Sequence, residues 1–322
     1  MLARMMRWSM LFVVGLVGVG CGEVKKDAAA LDAPASPDAA LDAASVDAPP
    51  IVDAGLDAPA AACDVTRPFG AAIEVPGLRD AAANDLHGTL TADELTIYLA
   101  TNRGDPASTV MHIYSATRAT RDAAFSTPVP VGATFSTEGE SNPSISPDGN
   151  TIFFDSLRTD DTTLHLRVFT STRPNAAVVF PMPTPLKGEA LHSPSITADG
   201  KVLYVANLSF GALDRMEKVG AVFGSAQTVD ISLGSSVTSP VSSDDLTLFM
   251  SLGEQVGDDI QATTRTSTAA AFPTPTRVNE LKTAAVQAAA SWVSADGCRL
   301  YLTYLAADTG AKSRIFFAIR PR

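Results

Sequence analysis

Five short segments of this chain can be written over one another. With Asp93, Asp148, Asp199, Asp244 and Asp296 as anchors, an apolar residue stands three positions before each (Leu90, Ile145, Ile196, Val241, Val293). A hydroxyl stands two before (Thr91, Ser146, Thr197, Ser242, Ser294). Four positions after comes an aliphatic residue (Ile97, Ile152, Leu203, Leu248, Leu300), and five after an aromatic (Tyr98, Phe153, Tyr204, Phe249, Tyr301). Six after comes a further apolar residue (Leu99, Phe154, Val205, Met250, Leu302). A repeat of about 50 residues restricts the chain to architectures in which each unit buries its faces against its neighbours.

The Ser/Thr-x-Asp stretch reads as a tight turn, because Asp bonds its own backbone and the next residue takes a positive φ. A short strand precedes it. The strand that follows is apolar at consecutive positions, so both of its faces are buried. A third strand follows in most copies, where Ile113, Val168, Ile260 and Ile315 each precede an Arg by five (Arg118, Arg173, Arg265, Arg320). The third copy departs from this around Met216 and Lys218. A fourth strand is expected around Phe125, Phe180, Phe223 and Phe272, each followed six residues later by Val131, Leu186, Val229 or Val278. Four strands per unit, at anchor spacings of 55, 51, 45 and 52 residues, predict the blades of a β-propeller. The last copy ends after its third strand, while Phe69 and Val75 stand unclaimed ahead of the first copy. The expected fold is therefore all-β: five four-stranded antiparallel blades, with the outer strand of the last supplied from the N-terminal side. A six-bladed ring with one degenerate blade is the alternative, and no residues remain to build that blade.

The stretches Ser144-Ile145-Ser146-Pro147-Asp148-Gly149-Asn150-Thr151-Ile152-Phe153-Phe154 and Ser195-Ile196-Thr197-Ala198-Asp199-Gly200-Lys201-Val202-Leu203-Tyr204 resemble the repeat of TolB-type, WD-repeat-like propellers. Arg103 and Arg158, ten residues after their anchors, match the Arg that often ends this strand in that family. The resemblance covers residues 64–322. It implies a periplasmic or surface location and a binding role, and it names no partner. TolB itself has six blades and an additional N-terminal domain, so its partners do not carry over.

The residues before the repeats read as an export and anchoring device. Arg4 and Arg7 precede an apolar run over 8–19, too short to span a bilayer comfortably, as in the h-region of a signal peptide. Gly20-Cys21 then resembles a bacterial lipobox, with Gly18 where that motif usually has Leu. This gives a signal peptide over 1–20 and a lipidated Cys21; the alternative is ordinary signal cleavage with Cys21 incidental. Gly22 after the Cys, by resemblance to enterobacterial sorting, favours the outer membrane. In residues 27–62, Asp27, Asp32, Asp38, Asp42, Asp47, Asp53 and Asp57 are each followed by Ala, prolines recur, and Lys, Arg and aromatics do not occur. Such a stretch cannot bury enough apolar surface to offset its ordering entropy. It reads as an extended spacer of ~35 Å or more, and its Asp spacing does not supply a calcium loop. The domain limits expected are thus 1–20, 21–62 and a propeller over 63–322.

Acidic groups outnumber basic ones 35 to 24, for a net charge of −11. With no basic stripe, this argues against nucleic acid as a partner. Four His and three Cys leave little material for a metal site, and no cofactor motif is present: there is no Gly-rich phosphate loop and no Gly-x-Ser-x-Gly elbow. Once Cys21 is assigned to lipid, Cys63 and Cys298 remain, in an exported chain where disulfides persist. Cys63 lies just before the closing strand and Cys298 at the hairpin of the last blade. A Cys63–Cys298 disulfide latching the ring is predicted; two free thiols are the alternative.

Ligands of propellers usually meet the end of the ring where the innermost strands enter the channel. The residues expected there are Asp85 and His87 in blade 1, Glu138, Glu140 and Asn142 in blade 2, and Glu189 and His192 in blade 3. Blade 4 offers Ser235, Ser236 and Thr238, and blade 5 runs from Ala288 to Trp292. Three readings follow. These residues are a solvated rim, or they bind a glycan or peptide along one acidic arc, or Asp85, Glu140 and Glu189 are the acid, base and modulating carboxylates of a glycosidase. Catalysis requires the three carboxylates to converge in a pocket; binding requires a partly apolar concave face near Trp292. The reading taken is a non-enzymatic envelope lipoprotein, a monomeric propeller that binds a protein or glycan and is held to the membrane by its lipid.

Overall fold

The computed structural model describes residues 63–132, 138–158, 166–186, 191–207, 211–233, 237–252, 259–282, 287–305 and 311–322. Residues 1–62, where a signal peptide, a lipidated Cys21 and a spacer are expected, lie outside them, as do Glu189, Ser235 and Ser236. The described residues form five antiparallel sheets, a five-bladed β-propeller. From the inside out, blade 1 is Asp85–Leu90, Thr96–Thr101, His112–Thr117 and Val129–Pro130. Blade 2 is Glu140–Ile145, Thr151–Ser156, Arg167–Thr172 and Thr184–Pro185. Blade 3 begins Leu191–Ile196, Val202–Asn207 and Ala212–Val219, and its outer edge is divided between Val222–Phe223 and Gln227–Thr228. Blade 4 is Val237–Val241, Thr247–Leu252, Ile260–Thr264 and Thr276–Arg277. Blade 5 is Gln287–Val293, Arg299–Leu305 and Arg314–Ile319, completed by Ile73–Glu74 from the N-terminal side.

The repeated turn works as the sequence indicates. Asp148 Oδ1 accepts from the Ser146 hydroxyl and from Asn150 N; Asp93, Asp199 and Asp296 repeat both bonds, and Asp244 accepts from two backbone N–H groups. The next position has positive φ in all five blades. It is Gly149, Gly200 and Gly297 in three, but Glu94 (φ 62°) and Asp245 (φ 59°) in the others. A side chain there costs backbone energy, and in both cases it is buried against arginines. Glu94 meets Arg118 and Arg299, and Asp245 meets Arg215 at 2.6 Å and Arg265 at 2.9 Å. The second strands are apolar on both faces because each is sandwiched between blades: Ile97, Leu99, Ile152, Phe154, Leu203, Val205, Leu248, Met250, Leu300 and Leu302 are all fully buried. Each large side chain so placed contributes roughly 1.5–3 kcal/mol of transfer free energy.

Two columns of the sequence meet in the structure. The Arg that ends the third strand lays its guanidinium over the Phe seven residues on: Arg118 over Phe125 at 4.5 Å, Arg173 over Phe180 at 4.2 Å, Arg265 over Phe272 at 4.4 Å. Arg320 does the same to Phe69, 4.1 Å across the ring closure. The phenylalanines themselves lie just ahead of the outer strands rather than within them, since those strands are only two residues long. Phe223 alone sits in a strand, the hairpin of blade 3. Cys63 and Cys298 are joined by a disulfide, with Cα atoms 5.7 Å apart, beside the closing strand.

Candidate functional site

At the end of the ring where the innermost strands begin, Asp85 and Glu140 occupy equivalent positions, opposite Thr101 and Ser156 on the second strands. Neither faces open solvent. Asp85 is fully buried, and Arg103 grips both of its oxygens, Nε to Oδ1 at 3.1 Å and Nη2 to Oδ2 at 2.8 Å. Burial raises the Asp85 carboxyl above its ordinary value, opposed by those bonds and by the Arg103 charge. Glu140, 2% exposed, gives Oε1 to Arg158 and Oε2 to His112 Nδ1 at 3.1 Å. Arg103 and Arg158, noticed in the sequence only as strand-ending residues, are thus the counter-ions of the two inner acids. Glu138 is exposed. The third carboxylate of the hydrolase layout, Glu189, lies outside the described residues.

Further along the axis, each innermost strand carries a register shift. The residues His87, Asn142, Ser193 and Ser239 take positive φ there. Together with Ala290 and Ser291 they line a void of about 20 Å³ on the axis, room for about one water molecule. Asn142 Oδ1 and Ser291 Oγ are buried there without a partner. Beside the void is a residue that the sequence reading missed, Asp155. It replaces the Ala100, Ala206, Ser251 and Thr303 of the other second strands. Its oxygens accept from Ser193 N at 3.0 Å and from Asn142 Nδ2 at 2.6 Å. Burial pushes its carboxyl up to about 7, against the lowering effect of those two bonds. Burial also lowers His87 and His192 to about 4, so both imidazoles are neutral at pH 7. His192 Nδ1 meets Ser193 Oγ at 3.0 Å. An acidic residue in the apolar run Thr151-Ile152-Phe153-Phe154-Asp155 was the available signal, since a carboxylate in a doubly buried strand needs a reason.

Trp292 does not join this group. It lies four positions along its strand from Ala288, the counterpart of Asp85, and packs edge-on against Tyr301 with ring centroids 5.6 Å apart. The structure thus brings Asn142 and His87 to the axis, with His192 buried behind them against Ser193. It holds Asp85 and Glu140 in separate ion pairs, and it puts Trp292 in the packing between blades 5 and 1.

A larger recess lies elsewhere, between blades 2 and 3 at the hairpin end: a cleft of about 810 Å³ lined by Phe153, Leu186, Ile196, Met216, Val222 and Phe223, with Asp148, Arg173, Asp199 and Lys218 among its polar residues. Several of the exposed large apolar side chains stand on the same two blades: Val178, Val179 and Met182 on blade 2, Val219 and Val222 on blade 3. This is the place where the third repeat leaves the pattern.

No family model and no curated protein matches the sequence. Among solved structures the chain is similar to the catalytic domain of a GH62 α-L-arabinofuranosidase from Coprinopsis cinerea, with TM-score 0.52 and 10% identity over 79% of this chain and 97% of that one. It is similar also to a GH43_1 enzyme from Xanthomonas citri, with TM-score 0.54 and 12% identity over 77% and 90%. TolB from Acinetobacter baumannii matches with TM-score 0.45 and 15% identity over 73% of this chain and 54% of that one. At these identities the likeness to the two glycoside hydrolases is one of fold alone.

Proposed function

We propose that the chain is an exported, lipid-anchored binding module of the bacterial envelope, with no hydrolytic activity of its own, that holds a protein or glycan partner at the membrane surface. The observation that carries the non-enzymatic reading is the fate of its inner acids. A general acid must reach the leaving group and a general base must reach water, whereas both oxygens of Asp85 and both of Glu140 are already engaged, by Arg103 and by Arg158 with His112, in buried positions. The Cys21 motif and the Asp-Ala spacer support the anchor, and Gly22, by resemblance to enterobacterial sorting, favours the outer membrane.

A second reading, a glycoside hydrolase using Asp85, Glu140 and Glu189, is favoured by the fold likeness to GH62 and GH43 enzymes at TM-scores of 0.52 and 0.54. One experiment separates the two. The purified propeller is incubated with a panel of arabinose- and xylose-containing polysaccharides and aryl glycosides, beside Asp85→Asn and Glu140→Gln variants, and is also used as bait on solubilised envelope and a glycan array. The binding reading expects no released sugar from any form, a specific captured partner, and lower melting temperatures for both variants. Turnover by the wild type that disappears in either variant replaces it with the hydrolase reading.

A further inference from the structure

Four of the five gaps between blades carry, at their hairpin ends, an Arg on the face of the Phe that the next blade contributes. In two of them the aromatic of the preceding blade's second strand meets that Phe edge-on. Tyr98 meets Phe180 under Arg173, and Phe249 meets Phe69 under Arg320. In three gaps the same Arg also donates through Nε to the carbonyl of its own blade's turn: Arg118 to Glu94 O, Arg173 to Gly149 O, Arg265 to Asp245 O. The gap between blades 2 and 3 keeps the aromatic pair, Phe153 and Phe223 at 5.5 Å and 83°, and lacks the cap. Lys218 stands in the Arg column. The connection from it to Phe223 is five residues instead of seven, and the third strand runs on into a tight hairpin at Gly220 and Ala221. Among the described residues no guanidinium lies over Phe223 and no donor reaches Gly200 O, the carbonyl equivalent to Gly149 O. The 810 Å³ cleft opens there.

We infer that this cleft is the partner-binding site of the module, and that its partner is an extended peptide segment presenting an arginine side chain, whose guanidinium takes the place over Phe223 that the protein's own Arg fills in the other four gaps. This rests on the binding reading above. The chemistry asks for a planar cation. Phe223 offers a ring face, Gly200 O an acceptor, and Asp148 and Asp199, each already bonded within its own turn, negative charge at the lips. Lys218 does not supply the cap. It is exposed, and its charge is one minor contributor at Asp148: partial burial works to raise that carboxyl, yet bonds from Ser146 and Asn150, with a smaller effect from Lys218, hold it below its ordinary value. The overall charge of −11 favours approach of a cationic segment. The apolar lip of Val222 and the floor residue Met216 suit the aliphatic parts of an extended chain.

The test uses the whole propeller with its disulfide intact. The peptide acetyl-Gly-Ala-Arg-Ala-Gly-amide is titrated in by NMR, following the ring signals of Phe153 and Phe223, beside the same peptide with norleucine for arginine. Wild type is expected to bind the arginine peptide about tenfold more tightly than the norleucine peptide. The Lys218→Arg variant, which restores the cap from within, is expected to lose about tenfold toward the arginine peptide. Equal affinity for the two peptides, no ring shift in wild type, or unchanged binding by Lys218→Arg overturns the assignment. The same variant serves as bait on solubilised envelope. A partner captured equally by wild type and Lys218→Arg ends the cleft proposal and leaves the binding reading standing, while capture by neither form, with no glycan bound, ends both.

Discussion

The gap between blades 1 and 2 and the gap between blades 2 and 3 are made from the same strands of the same repeat, and only the first is sealed. In the first, Tyr98 of blade 1 packs on Phe180 of blade 2, and Arg173 closes the joint, donating to the Tyr98 hydroxyl at 2.8 Å while lying over the Phe180 ring. In the second, Phe153 has no hydroxyl to offer, Lys218 has no planar fork to bridge ring and carbonyl, and the shortened connection leaves the joint uncovered. The comparison teaches that a propeller gap is closed by a small set of side chains laid over a common scaffold. Replacing one of them, and removing two residues of loop, turns a seam into a recess without changing the ring.

The largest test of this contrast is at the closing seam. Phe69→Ala removes a buried ring from the gap between blades 4 and 5 and from the core cluster around Phe249, Val278 and Leu300, and is expected to cost about 4 kcal/mol. Phe223→Ala, in the open gap where the ring is half-exposed, is expected to cost about half as much, since less area returns to water. Urea unfolding of both variants with the Cys63–Cys298 bond intact measures the two. Equal losses would mean that the gap between blades 2 and 3 is as well packed as the others.

A smaller effect separates the caps themselves. Arg173→Ala takes away a cation–π contact, the bond to the Tyr98 hydroxyl and the bonds to Gly149 O, and is expected to cost about 2 kcal/mol. Lys218→Ala removes an exposed amine and is expected to stay within about 0.5 kcal/mol of wild type. Thermal melts of the pair decide it, and matched shifts would dissolve the distinction between sealed and open.

How much of this could be read from the chain depends on whether a residue's role repeats. The Asp turns, the aromatic column, the displaced fourth strand and the Cys63–Cys298 bond were legible because each is set by local turn chemistry or by the arithmetic of ring closure. The Arg and Phe columns were both visible, but not that they touch, since a spacing of seven residues across a loop has no periodic signature; nor was it visible that the departure at Met216 and Lys218 leaves a cleft. The inner acids were located and their environment was missed. Asp85 and Glu140 find Arg103 and Arg158 18 residues away across a strand register that shifts at a bulge, and no pattern in the sequence announces that shift. Asp155 escaped because a single acid in one copy of an apolar strand is not a repeat at all.

Asp155 gives the finest form of the comparison, because the inner ends of the gaps also differ. At the joint of blades 5 and 1, the Thr303 hydroxyl accepts from His87 N at 2.9 Å. At the joint of blades 2 and 3, the equivalent acceptor is the carboxyl of Asp155, bound to Ser193 N. A neutral acceptor is indifferent to pH, and the carboxyl is not. Its value of about 7 in the fold lies above its ordinary 3.8, so its contribution to stability is complete below about 4 and is lost as pH rises through about 7. His87 and His192, held at about 4 instead of 6.5, work in the opposite sense: their contribution is complete above 6.5 and is lost as pH falls toward 4. The two trends partly cancel in the wild type. Asp155→Asn keeps an acceptor for Ser193 N and removes the carboxyl, so the imidazoles are left alone. Its unfolding free energy is expected to climb with pH between about 4 and 6.5 more steeply than that of wild type, by about 1 kcal/mol per pH unit. It should then stay level from 6.5 to 8 while wild type declines. Urea unfolding at half-unit steps from pH 4 to 8 resolves this, and parallel profiles for the two proteins would show that Asp155 is ionised throughout and that the inner joint of blades 2 and 3 is no different from its neighbours.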